Sequence, residues 1–103
     1  MIKLQSEAQL EEFKQNKCIL LFSANWCPDC RFIEPFLPDI EKQFTDYPIV
    51  YIDRDEFIDV CLAHDITGIP SFIVYNKGEI KGTFISKLRK SKEEIINFLN
   101  QVI

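Results

Sequence analysis

The hydrophobic residues of the chain form two kinds of pattern that alternate along its length. Continuous apolar runs, CILLFSA from position 18 and PIVYID from position 48, are typical of strands covered on both faces. A short strand is predicted near Ile2 to Leu4. The segment SFIVYNKGEIKGTFI from position 71 predicts two further strands, joined at Asn76-Lys77-Gly78. Five strands are therefore expected.

Between these runs the apolar residues recur at helical spacing. Ser6 with Gln9 and Ser91 with Glu94 are capping-box signatures that predict the first helix, ending near Asn16, and the last helix. A helix from position 28 carries prolines at 35 and 38 that must bend or split it, and DEFIDVCLAHDI from position 55 predicts another. In the order β-α-β-α-β-α-β-β-α, strands linked by helices are expected to be parallel, and the terminal hairpin adds an antiparallel pair. The order therefore predicts an α/β fold with a mixed sheet and helices on both faces.

Length and charge narrow the class of protein. A chain of 103 residues with 47% hydrophobic content is expected to be one domain, residues 1–103, with one core. Sixteen acidic and twelve basic residues give a net charge of −4, which argues against nucleic-acid or membrane partners. No basic segment followed by an apolar run opens the sequence, so we expect a soluble, cytoplasmic and monomeric protein.

The segment NWCPDC at positions 25–30 carries the candidate chemistry. In a reducing compartment Cys27 and Cys30 could be a redox pair, two metal ligands or incidental core thiols. A zinc site is disfavoured because the chain offers one CxxC motif, one histidine and two scattered cysteines. Those cysteines, Cys18 and Cys61, are expected to be small buried hydrophobic residues.

Three features in the right order make the chain resemble the thioredoxin family over nearly its full length. They are WCPDC at positions 26–30, Pro35 five residues beyond the second cysteine, and GIPSF at positions 68–72. The WCPDC form looks like that of thioredoxin-related proteins and of small bacterial thioredoxin-like proteins. The resemblance implies a thioredoxin fold, disulfide oxidoreductase activity, and a cis Ile69-Pro70 bond that faces the cysteine pair.

The resemblance also implies roles for individual residues. Cys27, at a helix start that favours the thiolate, would attack a disulfide, and Cys30, one turn further on, would resolve the mixed disulfide. Trp26 would form the rim of the site. The residues implied to bind the substrate backbone are Ile69, Pro70 and Ser71.

Pro28 and Asp29 are expected to tune the ionisation of the first thiol. Pro28 occupies a helix position where a missing N–H costs nothing, and it leaves the N–H groups of the next two residues available to the thiolate. The Asp29 carboxylate should oppose formation of a second negative charge nearby. A less stabilised thiolate means a more reducing couple, so the motif favours a reductase over an oxidase.

No bound cofactor is expected, because the resemblance implies electrons from NADPH through a thioredoxin-reductase-type flavoenzyme. Disulfide-containing proteins or small molecules would be the substrates. A second hypothesis comes from another class of protein: a non-catalytic interaction module whose groove binds a partner while a Cys27-Cys30 disulfide acts as a redox switch. Turnover with reductase and NADPH separates the two.

Several positions depart from thioredoxin itself. Leu21 occupies the position of a buried aspartate thought to deprotonate the resolving thiol, Tyr51 that of its usual lysine partner, and Ser86 that of a glycine beside the substrate. The only histidine, His64, is expected at a solvated helix end and not as a general base. A basic cluster is predicted to contact an acidic partner; its members are Lys87, Arg89, Lys90 and Lys92.

Overall fold

A computed structural model describes residues 1–103 and contains five strands and five α-helices. The strands are β1 (Ile2–Lys3), β2 (Cys18–Ser23), β3 (Ile49–Asp53), β4 (Ser71–Asn76) and β5 (Glu79–Phe84). The helices are α1 (Glu7–Gln15), α2 (Pro28–Ile33), α3 (Leu37–Gln43), α4 (Ile58–Ala63) and α5 (Lys92–Val102). This is the predicted element order. No helix is both long enough and apolar enough to cross a membrane.

The strands form one mixed sheet in the order β1-β3-β2-β4-β5, which confirms the predicted sheet type. β2 pairs in parallel with β3, and β3 in parallel with β1. The expectation that every linking helix joins parallel strands is wrong for α4, because β4 runs antiparallel to β2. All six residues of β2 are buried, as a central strand requires, and the strand leads directly to the cysteine motif.

Helices cover both faces of this sheet. On one face α1 and α4 pack through Leu10, Val60 and Cys61. On the other face the helices after the cysteine motif pack together with α5; the buried residues there are Ile33, Leu37, Ile40, Ile95 and Leu99. The cysteine pair belongs to the first cluster, at the end of the sheet where β2 gives way to α2.

Local sequence signals explain where the helices begin and break. Ser91 and Glu94 form the complete capping box that was predicted for α5. At α1 the Ser6 hydroxyl accepts the Gln9 N–H at 3.1 Å. The Gln9 side chain accepts the N–H of Gln5 and not that of Ser6, so this box is half formed. Pro35 and Pro38 split the second helical segment as predicted, because a 3₁₀ turn at 34–36 separates α2 from α3.

The two edges of the sheet are short or irregular. β1 contributes two residues. β5 follows a tight turn in which Lys77 and Gly78 both have positive φ, of 54° and 83°, and its pairing with β4 shifts register between Val74 and Tyr75. The Lys77-Gly78 sequence suits this turn because glycine carries no steric penalty there.

Candidate active site

The cysteine pair is built on the first turn of α2. Cys27 is the N-cap residue, and its Sγ accepts the backbone N–H of Cys30 at 3.2 Å. The Cys27 thiol lies 3.9 Å from the Ile69 carbonyl oxygen, to which it donates. Cys27 is 6% exposed and Cys30 is fully buried, and all four cysteines of the chain are free thiols. The outer thiol therefore shields the inner one from solvent.

The surroundings of Cys30 disfavour its anion. Burial, and secondly a hydrogen bond with the Cys27 thiol, raise the pKa of Cys30 to about 12, while contacts with the Ser23 hydroxyl and the Ala24 backbone act in the opposite direction. Ser23, itself 1% exposed, also contacts the Tyr51 hydroxyl, whose pKa is raised by burial. Leu21 is 1% exposed and lies between Tyr51 and Phe72 in the sheet, so no carboxylate occupies this position.

The segment before β4 closes the other side of the pair. The Ile69-Pro70 peptide is cis, and both residues are buried beside Cys27. Ser71 is completely buried and its hydroxyl donates to the Gly68 carbonyl at 2.6 Å. The Ser71 hydroxyl is thus turned inward and already has a partner. Of the predicted substrate contacts of Ser71, only those through its own backbone remain possible.

Trp26 is an exposed aromatic side chain beside the cysteine pair. Its side chain is 57% exposed, and its indole N–H donates to the Asp55 carboxylate at 2.7 Å. The Arg54 guanidinium lies 5.8 Å from the centroid of the same ring. Asp55 belongs to the turn after β3 and carries no sequence signal that would tie it to Trp26. The indole is therefore held in one orientation while more than half of the side chain stays exposed.

Asp29, between the two cysteines, has a partner that the sequence did not suggest. The Arg89 guanidinium donates to its carboxylate at 2.8 Å, and both side chains are partly exposed. The same guanidinium lies 4.5 Å from the centroid of the Phe32 ring. Consequently, the cysteines lie near both the negative charge of Asp29 and the positive charge of Arg89.

Three of the four residues of the predicted basic cluster have partners within the protein. Lys90 is 1% exposed, Arg89 pairs with Asp29, and Lys92 pairs with Asp39 at 2.9 Å. Lys87 stays exposed, but its backbone lies where a Cβ on Gly68 would come within 2.7 Å. The loop 85–91 therefore belongs to the framework of the site. Burial excludes Lys90 from the predicted contact with an acidic partner, and for the other three residues that contact stays a prediction.

The other candidate residues serve packing. Cys18 and Cys61 are buried as predicted, and burial raises the pKa of both, that of Cys18 to about 11. His64 ends α4 but is not solvated as expected. Its ring nitrogens contact the Val60 carbonyl at 2.9 Å and the Tyr75 hydroxyl at 3.0 Å, because the ring packs inward.

No cavity of the structure is lined by either active-site cysteine. The largest, about 630 Å³, lies at the far end of the sheet beside Phe13 and Asn76. No group of three or more His, Cys, Asp or Glu side chains is placed to bind a metal ion. The pair thus lies at a shallow surface, flanked by Trp26, by residues 68–70 and by the loop 85–91.

Known proteins share both the sequence pattern and this architecture. The Thioredoxin family model matches residues 2–101. Thioredoxin H3 of Arabidopsis thaliana is 38% identical over 78 residues, which cover 76% of this chain and 64% of that protein; the chain thus spans just under two thirds of this relative. Thioredoxin of Gallus gallus is 31% identical over 93 residues, covering 90% of this chain and 89% of that protein.

The fold comparison gives the same result. The structure of Plasmodium falciparum thioredoxin superposes with a TM-score of 0.87 at 26% identity and covers all of both chains. The matching family model, the relatives and the shared five-stranded sheet lead to one conclusion. The chain belongs to the thioredoxin family.

Proposed function

We propose that residues 1–103 act as one thioredoxin-like domain that reduces disulfides, with Cys27 as the attacking thiol and Cys30 as the resolving thiol. The observation that carries the proposal is the placement of the pair. Cys27 caps α2 at the surface, and Cys30 lies buried directly behind it with its N–H on the Cys27 sulfur. A thiol at a helix start can form a nucleophilic thiolate, and a thiol one turn behind it can reach a mixed disulfide.

The reaction consists of two exchange steps. The Cys27 thiolate attacks one sulfur of the substrate disulfide, the substrate S–S bond breaks, and the leaving sulfur takes up a proton. Cys30 then gives up its proton and attacks the Cys27 sulfur, which releases the second substrate thiol. The substrate gains two electrons and two protons, and the domain is left with a Cys27-Cys30 disulfide.

The shape of the site supports a macromolecular substrate. A shallow surface without a cavity accepts a disulfide that protrudes from a protein, whereas small-molecule sites are usually concave. The exposed face of Trp26 and the backbone around Ile69 and Pro70 are the groups proposed to contact the substrate chain. Small disulfides can react at the same sulfur, but nothing around it would hold them.

Repeated turnover needs a donor of electrons that reduces the Cys27-Cys30 disulfide again. We propose that a thioredoxin-reductase-type flavoenzyme transfers electrons from NADPH to the Cys27-Cys30 disulfide, and that the domain binds no cofactor itself. We place this cycle in the cytoplasm, where the reducing environment suits a disulfide reductase. Relatives that carry the thioredoxin name over most of this chain support the proposal.

Trapping of partners tests the assignment of roles. With Cys30→Ser the mixed disulfide on Cys27 cannot be resolved internally, so covalent complexes should accumulate in lysate and be released by dithiothreitol. Cys27→Ser, the matched control, should trap none. Equal trapping by both variants would contradict the roles. Failure of the wild-type protein to accelerate reduction of any disulfide, with reductase and NADPH present, would instead favour the interaction module.

A further inference from the structure

Lys90 is a buried lysine without a counter-ion. Its side chain is 1% exposed, although lysine is almost never fully buried unless it is paired. The three N–H groups are all satisfied: Nζ donates to the Ser86 carbonyl at 3.3 Å, the Ser86 hydroxyl at 3.1 Å and the Leu88 carbonyl at 3.3 Å. These acceptors are neutral, and none of the five ion pairs of the structure includes Lys90.

Such a charge is costly to bury, and local contacts offset the cost only in part. Burial lowers the pKa of Lys90. The Phe84 ring, whose centroid is 5.0 Å from Nζ, adds a cation–π contact. A buried ammonium with hydrogen bonds but no anion lacks the partner charge that usually offsets the cost of its desolvation.

The cysteine pair is the place where such an anion forms. Arg89 pairs with Asp29 at the surface, and the next residues along the two segments, Lys90 and Cys30, lie inside the protein at 1% and 0% exposure. The loop that carries Lys90 is also packed against Gly68 on the opposite side of the pair. This loop therefore contacts both sides of the cysteine pair, Asp29 on one side and Gly68 on the other.

The other charged groups that face Lys90 already have partners. They are Asp29 on α2, which pairs with Arg89, and Glu94 on α5, which accepts the Ser91 N–H at 3.0 Å. The two thiols, Cys30 first and Cys27 second, are the ionisable groups that remain. Besides Lys90, the ionisable groups near Cys30 are Cys27 and, beyond the Ser23 hydroxyl, Tyr51.

We propose that Lys90 is an internal counter-charge for the thiolate of the cysteine pair. It would replace the buried aspartate of thioredoxin, whose position is occupied here by Leu21. It is a positioning residue, which favours loss of the Cys30 proton by electrostatics and without touching the substrate. The proposal rests on the proposed function. In the resolving step the Cys30 thiol loses its proton to water, and the charge of the Lys90 ammonium stabilises the anionic sulfur from within the protein. It then bonds to Cys27, and the electron pair of the broken bond leaves on the substrate sulfur, which takes a proton from water.

Removal of the charge alone tests this. Lys90→Met keeps the apolar stem and removes the ammonium. In the reduced variant the rise of thiolate absorbance with pH should move upward by about one pH unit, and disulfide reduction at pH 7 should slow by about threefold to tenfold. One pH unit is the shift that a unit charge about 12 Å away produces at an effective dielectric constant of about 20. Lys90→Arg, which restores the charge, should recover much of the wild-type pH profile.

The matched control is Lys92→Met, because Lys92 lies two residues away and pairs with the exposed Asp39. It should leave the pH profile unchanged. A Lys90→Met variant with lower thermal stability but the wild-type pH profile would show that Lys90 only holds the loop, and would overturn the proposal. Lys90→Gln, which keeps two donors, allows the same titration if Lys90→Met does not fold. The titration needs no substrate, so it gives a result even if the wild-type protein shows no turnover.

Discussion

The first turns of α2 and α5 share one hydrogen-bonding plan but differ in chemistry. At α5 the Ser91 hydroxyl accepts the Glu94 N–H at 3.1 Å, and the Glu94 carboxylate accepts the Ser91 N–H at 3.0 Å. At α2 the Cys27 sulfur accepts the Cys30 N–H at 3.2 Å. The spacing of three residues is the same in both places.

The return bond distinguishes them. In α5 the two side chains satisfy each other's backbone, so the cap is closed and serves stability only. In α2 the Cys27 N–H donates to the Ala24 carbonyl at 3.3 Å, so the Cys30 thiol makes no return bond to the N-cap N–H. Both sulfurs are therefore free to exchange with each other and with a substrate. A capping geometry becomes a redox site when its hydroxyl and carboxylate are replaced by two thiols.

Cys27→Ser should give the largest effect, because it removes the attacking thiol. The hydroxyl that replaces the thiol can still cap α2. Disulfide reduction should fall to the uncatalysed rate, since serine cannot form the mixed disulfide. The free energy of unfolding, measured with denaturant, should change by no more than about 1 kcal/mol, because serine is a good N-cap residue. A large loss of stability would show that the sulfur contributes packing that a cap alone does not explain.

Ser91→Ala tests the closed cap. Loss of the hydroxyl should lower the free energy of unfolding by about 1 kcal/mol, as is typical for removal of an N-cap side chain. The rate of disulfide reduction per folded molecule should stay at the wild-type value. A slower rate in the folded variant would mean that the start of α5 acts on the cysteine site, for example by moving the neighbouring Lys90.

Asp29→Asn should produce the smallest change. The substitution removes a negative charge from the first turn of α2 and also releases Arg89 from its 2.8 Å ion pair. Both changes favour the thiolate, so the glutathione equilibrium should move toward a more oxidising potential by on the order of 10 mV, given screening at an exposed site.

The control for this variant is Asp39→Asn, which removes an acid from the first turn of α3 and releases Lys92 in the same way. Asp39 is away from the sulfurs, so the potential should not move. If Asp29→Asn also leaves the potential and the thiolate absorbance unchanged, Asp29 acts only in the helix start and in its pair with Arg89.

Features with local causes could be predicted from the sequence. Continuous apolar runs identified β2 and β3, Ser91 with Glu94 identified the start of α5, and the prolines identified the break after α2. The cysteine pair was placed correctly at a helix start, because the motif follows a buried strand and contains Pro28. The family motifs then supplied the fold that the comparisons show.

Features that depend on distant contacts could not be predicted in this way. Lys90 belongs to a basic segment whose composition is typical of a solvated loop, and only the three nearby oxygens explain why it is buried. The direction of β4 is a property of the whole sheet. The inward turn of Ser71 depends on the Gly68 carbonyl, which no pattern of hydrophobic and polar residues identifies.

The irregular edges of the sheet have a consequence for how the protein meets other chains. β1 offers only two residues, and β5 combines a shifted register with the charged residues Lys81 and Glu79. Such edges are poor templates for adding another strand, so they protect against edge-to-edge aggregation. If the proposed function is correct, an unfolded substrate should therefore not pair with the strand edges. Its expected contact is at the end of the central strand, where the cysteines are.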